Sequence, residues 1–403
     1  MAALPFKGVT RNKRNGMKQL RLTCPCAFGL ESVLSGELKR IDAQEITVAD
    51  GRVDFSGGPE LLARANLWLR TAERVQILLG SFPAATFTQL FDGVAALPLE
   101  DYIGKKDAFP VKGWSLNSQL RSVPDCQSII KKAAVKRLEK AYGISWFEES
   151  GATHQLQFSI LKDQVTVMLD TSGQGLHKRG YRQVSNLAPI KETLAAGILD
   201  LARIYPDTQL YDPFCGSGTL LIEGAYKAKN IAPGLYRRFA AERWDQLPPK
   251  VWQQERERAL SLVRTGPEVT FRGVGSDLSA EAAELTLANA RKAQVGWAVH
   301  SHQADIRDFR VPEEKAIVVC NPPYGERLLS VQEARELNHI MGQVFQPSDH
   351  VGYYIISALE DFEEQFGRKA DKRRKLYNGM VRCQLYLYLP QRGKDSNEGR
   401  KKP

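Results

Sequence analysis

No run of eighteen apolar residues occurs in the 403-residue chain, and its first residues, MAALPFKGVTRNKRNGMK, form no apolar signal core. Neither a membrane-spanning helix nor a secretory leader is expected, which points to the cytoplasm. Cysteine is scarce and scattered: Cys24, Cys26, Cys126, Cys215, Cys320 and Cys383 lie mostly in strand-like or small-residue contexts. They read as buried thiols in a reducing compartment. Cys24-Pro25-Cys26 has no second cysteine or histidine pair nearby at ligand spacing, and His300 and His302 have no third ligand, so no metal is expected. The full G-x-G-x-x-G dinucleotide fingerprint is missing from the chain's glycine turn as well.

What is present is ordinary for a globular protein: 43% hydrophobic and 25% charged residues, in a chain long enough for two or three domains. Lys and Arg outnumber Asp and Glu by 56 to 46, and the formal charge of +10 favours a polyanionic partner such as a nucleic acid.

Two stretches carry chemistry. In AIVVCNPPYGERLL, the β-branched run Ile317 to Cys320 reads as a buried parallel strand that the two prolines stop. Asn321, Pro322, Pro323 and Tyr324 then lie at a strand's carboxyl end, where open α/β sheets bind ligands. The Asn321 side-chain oxygen and a proline carbonyl can accept the two hydrogens of an exocyclic amine, and Tyr324 can stack on the ring that bears it. About a hundred residues earlier, QLYDPFCGSGTLLIEGAYKA reads as a strand from Gln209 to Phe214, a Gly216-Ser217-Gly218 turn and a helix from Thr219. Glycines there let a ligand approach the backbone, and the helix N-terminus offers free N–H groups. Asp212 would repel a pyrophosphate, whereas the sulfonium and ammonium of S-adenosylmethionine suit its charge.

Together with HKRGYR at 177–182 and APIKETLAAGIL at 188–199, these words resemble, in this order behind an N-terminal extension, the THUMP-domain class I S-adenosylmethionine-dependent RNA methyltransferases. The resemblance is nearest to their 23S rRNA guanine-N2 branch. It implies a C-terminal seven-stranded doubly wound Rossmann-like methyltransferase domain (174–390) behind an α+β ferredoxin-like segment with a basic arm (1–64) and a THUMP RNA-binding domain (65–173), with a disordered tail (391–403). The cofactor set would be Asp212, Phe214, Gly216, Gly218, Thr219, Asp277, Leu278, Asp305, Ile306 and Asn321, with Glu192 and Thr193 over its methionine end. Asp277 would accept the ribose hydroxyls, and Asp305 or Asp308 the adenine amine. The catalytic residues would be Asn321, Pro322 and Tyr324, and large-subunit rRNA the partner. The sequence leaves the oligomeric state open, a monomer being compatible with it.

Along the rest of the chain, EITVADGRVDFSG is a hairpin by its Asp50-Gly51 turn, and the strands around Lys162-Asp163 are another. The helix from Asp125, expected as its cap, to Gly143 carries a basic face, from which Lys131, Lys132 and Lys136 are expected to contact RNA. Lys178, Arg179 and Arg182, in a short glycine-containing turn, suit a phosphate or a substrate entering the cleft and are likewise expected to contact RNA. An insertion after the glycine loop holds Tyr236, Phe239, Trp244 and Trp252, expected as a hydrophobic anchor, and accounts for Asp277 lying about sixty residues past Gly216. The basic run 369–375 precedes a hairpin turned at Asn378-Gly379. Competing readings are a tRNA guanine-N2 methyltransferase, a DNA adenine methylase, and a non-catalytic RNA-binding assembly factor.

Overall fold

The computed structural model describes residues 19–182, 190–323 and 330–391. They form two compact units, each built on one seven-stranded sheet.

The first unit takes in residues up to 26, 34–176 and 237–258. Its elements are β1 (Leu20–Pro25), α1 (Glu31–Arg40), β2 (Gln44–Ala49), β3 (Arg52–Gly57), α2 (Pro59–Trp68), β4 (Gln76–Pro83), α3 (Phe87–Ala95), β5 (Val111–Leu116), α4 (Val123–Tyr142), β6 (Leu156–Leu161) and β7 (Gln164–Asp170). The sheet order is β2-β3-β1-β4-β7-β6-β5, with β5 and β6 parallel and the other pairs antiparallel. Pairing of β1 with β4 therefore joins the two N-terminal pieces into one sheet. Both expected hairpins form. Gly51 (φ 70°) turns the first, and Lys162 (φ 52°) and Asp163 (φ 62°) supply the two left-handed residues that a two-residue turn needs to match strand twist.

Helix α4 starts earlier than its sequence suggests. Ser122 is the cap, accepting the Asp125 N–H at 3.4 Å, and Gly143 ends the helix in the left-handed region. Asp125 instead occupies the first turn, where a carboxylate favours the positive end of the helix dipole.

The insertion folds into this first unit. The buried Trp244 stacks on the fully buried His154 (ring centroids 4.3 Å apart) and donates its Nε1–H to the Thr153 carbonyl at 3.0 Å. Phe239 and Trp252 stack on each other, and Arg64 grips Glu255 through two hydrogen bonds of 2.9 and 2.7 Å. Three of the four aromatics thus anchor the insertion, while Tyr236, 58% exposed, does not.

The second unit takes in residues 27–33, 177–236 and 259 onward. It holds α5 (Glu192–Leu201), β8 (Gln209–Asp212), α6 (Thr219–Ala228), the end of α7 (Pro249–Ser261), β9 (Arg272–Asp277), α8 (Ala280–Lys292), β10 (Val299–Gln303), β11 (Ala316–Cys320), α9 (Val331–Val344), β12 (Val351–Ser357), α10 (Phe362–Phe366), β13 (Lys372–Asn378) and β14 (Val381–Tyr388). The order β10-β9-β8-β11-β12-β14-β13 is parallel through β12, and β14 is antiparallel to both of its neighbours. From β8 the chain builds outward through β9 to β10, then returns to lay β11 on the other side of β8. This reversal opens a crevice at the carboxyl ends of β8 and β11. Helix α6 packs close against the sheet: a Cβ on Gly224 would come within 2.7 Å of Leu210.

All six cysteines are free and buried. Among the described residues, no helix is long and apolar enough to cross a membrane.

Trp244→Ala removes a buried ring together with its hydrogen bond, a change that typically costs ~3–5 kcal/mol. It should lower the urea midpoint of the first unit's fluorescence transition, while Tyr236→Ala should leave it within error; equal midpoints for Trp244→Ala and the parent would refute the anchor.

Candidate active site

The two motifs meet because β8 pairs with β11. Strand β8 ends at Asp212, two residues earlier than expected, and the loop to α6 is held on all sides by main-chain and buried side-chain bonds. Gly216 (φ 52°) and Gly218 (φ 79°) are left-handed, and the Gly218 N–H donates to the Cys215 carbonyl at 2.7 Å. A Cβ on Gly218 would lie 2.8 Å from Thr286, so only glycine fits. The Gly216 N–H donates to Asp277 at 3.0 Å, and the Cys215 N–H to the Ser276 carbonyl at 2.9 Å. From behind, Thr286 donates to the Gly216 carbonyl (3.0 Å) and Asn289 to the Ser217 carbonyl (2.9 Å). Thr286 and Asn289 escaped the sequence reading. Their signal was two polar residues three apart on the α8 face that also carries Ala282, Ala283 and Ala290, all buried.

Asp212 is 2% exposed, and among the described residues it accepts one hydrogen bond, from the Phe214 N–H at 3.1 Å. Burial pushes its carboxyl up to about 8, the nearby Asp277 charge adding to the effect. No salt bridge to a cation is recorded for it among the described residues. Asp277, half-buried at the end of β9, accepts Gly216 N–H on one oxygen and Ser279 N–H on the other (3.1 Å). Each oxygen keeps a second lone pair for a ligand hydroxyl. Leu278 beside it is 69% exposed, an apolar side chain at the lip of the crevice. At the next strand end Asp305 caps a single turn, accepting the Arg307 N–H at 2.9 Å and pairing with the Arg307 side chain; Ile306 is buried and Asp308 exposed.

Asn321 follows β11 directly, and its Oδ1 is buried without a hydrogen-bond partner among the described residues. Pro322 behind it is buried. Tyr324 lies outside the described residues.

Two cations expected to contact RNA are spent inside the fold. Arg179 is 6% exposed and pairs with the buried Glu223 (Nε to Oε1, 3.3 Å), which also accepts the Tyr181 hydroxyl at 3.2 Å. Arg182 pairs with the buried Glu192 at 2.9 Å and donates to the Ile190 carbonyl and the Thr219 hydroxyl, tying the start of α5 to the start of α6. Burial raises the Glu192 carboxyl, with Arg182 opposing the shift. The Glu192 carboxylate is therefore already engaged, and Thr193 beside it is buried. Of the three cations in this turn, Lys178 alone is exposed. In the first unit Lys131 is likewise committed, to Glu149 at 2.5 Å and to the face of Phe109, whereas Lys132 and Lys136 remain exposed.

Residues 179–386 match the family model described as the RMKL-like methyltransferase domain, 21–76 the RlmL ferredoxin-like domain and 84–170 the THUMP domain. The chain is 40% identical over 387 residues to "Putative RNA methyltransferase YpsC" of Bacillus subtilis, covering 94% of this chain and all of that one. It is 33% identical over 371 residues to the ribosomal RNA large subunit methyltransferase K/L of Psychromonas ingrahamii, covering 90% of this chain and 49% of that longer protein. Among solved structures, SMU.472, described as a putative methyltransferase complexed with SAH, superposes with a TM-score of 0.87 at 39% identity, covering 93% of this chain and 99% of that one. A protein described as a predicted N6-adenine-specific DNA methylase from Listeria monocytogenes gives 0.85 at 44% identity, with 93% and 97% covered.

Arg179→Ala strands the Glu223 charge in the interior, a loss of ~3–5 kcal/mol, whereas Lys178→Ala should stay within about 0.5 kcal/mol of the parent. Equilibrium urea unfolding separates the two, and equal small effects would return Arg179 to the surface.

Proposed function

The chain belongs to the family of RMKL-like methyltransferases that carry an RlmL-type ferredoxin-like domain and a THUMP domain, and we propose that it methylates the exocyclic N2 amine of a guanine in 23S rRNA. At the coarser level it is an RNA methyltransferase whose cofactor is S-adenosyl-L-methionine. The observation that carries the amine-methylating chemistry is the buried Asn321 Oδ1, an acceptor with no donor among the described residues, at the end of the strand beside the glycine loop.

The residues at this edge fit the cofactor. Asp212 is a buried carboxyl group with no ion pair among the described residues and suits the methionine ammonium; Gly216 and Gly218, both left-handed, leave the loop backbone without side chains where a ligand would approach; and the free lone pairs of Asp277 suit a ribose diol. Asp305 and Ile306 would take the adenine amine and ring, and Thr219 and Phe214 would flank the methionine portion. When bound, the cofactor supplies an electrophilic methyl group. The chain's own part is to hold and polarise the acceptor. The lone pair of an aromatic amine is delocalised into its ring, and it becomes available when both N–H bonds are drawn toward acceptors out of conjugation. Asn321 Oδ1 and the Pro322 carbonyl are suited to be those acceptors, with Tyr324 stacking on the base. Their preorganisation in a site screened from water would provide most of the rate, with no strong base required at the outset. A guanine in paired RNA would have to be unstacked to reach them.

The same amide-and-carbonyl pair would serve an adenine N6 amine, the chemistry named for the Listeria protein. The THUMP match and the kinship with the large-subunit rRNA enzyme favour RNA and guanine. Nucleoside mass spectrometry of rRNA and tRNA from a strain lacking the gene decides: loss of N2-methylguanosine from 23S rRNA supports the reading, and loss from tRNA alone overturns it.

Asn321→Ala should lower single-turnover methyl transfer by about 100-fold to 1,000-fold while leaving cofactor affinity near the parental value, because the lost acceptor acts on the amine as it rehybridises. Near-parental turnover would remove Asn321 from the mechanism.

Asp212 should also make cofactor affinity depend on pH. Its carboxyl titrates near 8 without a cationic partner, so binding below that pH must expel a proton, and affinity should fall as pH drops, by up to about tenfold per unit. The sign for stability is opposite. The folded pKa lies above the ordinary carboxyl value of 3.8, so between 3.8 and about 8 the folded state binds more protons, and the cofactor-free protein should lose stability as pH rises through that window. Asp212→Asn should flatten both profiles in calorimetric and thermal titrations; unchanged slopes would mean that another group titrates.

A further inference from the structure

A dense run of positive charge lies outside the site described so far. Residues 368–382 hold seven Lys and Arg against one Asp, a net six of the formal +10. They run from the end of α10 through β13, the outermost strand of the second sheet, and around the turn into β14. Arg368 is folded over the Tyr388 ring, Arg374 is taken by the Gly29 carbonyl and Ser32, and Arg373 pairs with Glu363. Lys369, Lys372, Lys375 and Arg382 are exposed, and no carboxylate pairs with them among the described residues.

Strand register places this hairpin relative to the crevice. Cys320 pairs with Ile355, Ile355 with Tyr386, and Tyr386 with Arg373. Arg373 therefore lies in the row immediately before Asn321. As β14 is antiparallel to both β12 and β13, β13 runs in the same direction as β11. Lys375, Tyr377 and the turn at Asn378-Gly379 consequently extend past the row of Asn321, on the side where β8 and β11 open. Three strand spacings separate β13 from β11, about 14 Å, and Tyr377 stands roughly 10 Å beyond the Asn321 row at ~3.3 Å per residue. That is a reach of a few nucleotides.

The projecting face alternates cation and ring. Lys375 and Tyr377 share it, with the Lys375 ammonium 5.5 Å from the Tyr377 ring centre, and Arg382 is directly opposite Tyr377 across the ladder. Phe28, 53% exposed, meets the Tyr377 ring edge-on at 5.7 Å, and Met380 at the turn is 96% exposed. Lysines on an edge strand also deter strand pairing between molecules, but that task does not call for the half-buried Tyr377 ring and the exposed Phe28 ring beside them. Cations that track phosphates between rings on which bases stack are the chemistry of single-stranded nucleic-acid binding.

We propose that the β13–β14 hairpin is an RNA-contacting arm of the methyltransferase unit, gripping the nucleotides next to the target base through Lys375, Tyr377 and Arg382. The proposal rests on the RNA methyltransferase reading above and adds the part of this unit that holds the strand. The test uses the full chain, unmodified 23S rRNA transcribed in vitro, and titrations over a range of salt concentrations. The double variant Lys375→Gln, Arg382→Gln should bind about tenfold or more weakly, with a slope of log affinity against log salt reduced by about one to two, at roughly 0.7 per lost single-strand phosphate contact. Tyr377→Ala should weaken binding by about fivefold to a hundredfold with the slope kept. Calorimetric cofactor affinity should match the parent in both, which shows that the variants are folded. Parental affinity and slope in the double variant would overturn the proposal, leaving the charges as a guard on the edge strand. An equal loss from Lys369→Gln, Lys372→Gln would overturn the assigned face in favour of a diffuse field. A parent that neither binds nor methylates RNA would fell the functional reading and this proposal together, whereas a parent that methylates RNA beside unaffected variants fells this proposal alone.

Discussion

A parallel sheet whose strand order reverses between β8 and β11 leaves two carboxyl strand ends side by side with no crossover between them. The rest of the second unit depends on this constraint. Backbone groups leaving those strands have no further ladder, so the chain must satisfy them by other means. The loop after β8 does so through Asp277, Ser276, Thr286 and Asn289. After β11 the two prolines bring no N–H that would need a partner, and the Asn321 side-chain acceptor has no partner among the described residues. One strand end is thereby tied down on every side, while the other presents a buried acceptor that no described residue meets, an asymmetry that accords with the proposed division between a cofactor loop and an acceptor loop.

Charge follows the same division of labour. Arg64, Arg179 and Arg182 are each matched to a buried carboxylate and hold structure. Asp212 has no such match, and its carboxyl stays high in the absence of a cation. In a low-dielectric site an unmatched carboxylate costs stability unless a ligand supplies the opposite charge. On the role proposed for Asp212, stability and cofactor binding would be coupled through one residue. Exposed Lys369, Lys372, Lys375 and Arg382, without carboxylate partners among the described residues, gather at one edge of this unit's sheet.

Much of this was legible in the residues. The period of apolar positions, the Asp50-Gly51 and Asn378-Gly379 turns, and the strand-glycine-helix and strand-Pro-Pro words report local backbone preferences, and these act over a few residues wherever the chain is placed. The seven-stranded methyltransferase sheet follows from their order, since short right-handed crossovers leave few ways to arrange the strands. The resemblance to a known family supplied the roles that such local preferences cannot.

Local preference could not say which cations face solvent. Lys178, Arg179 and Arg182 look alike within HKRGYR, yet burial of Glu223 and Glu192, more than forty and ten residues downstream of Arg179, draws two of them inward. Nor could it reveal that the insertion after the glycine loop folds with the first unit, because Trp244 finds His154 across ninety residues of sequence. Thr286 and Asn289 support the glycine loop only once α8 lies behind it. The sequence by itself determined the elements, their order and the chemical groups at the two strand ends, since each is a matter of neighbouring residues. Pairing of buried charges, the seat of the insertion and the reach of the basic hairpin past the Asn321 row were decided by the tertiary structure, because burial and strand register arise only when distant segments pack.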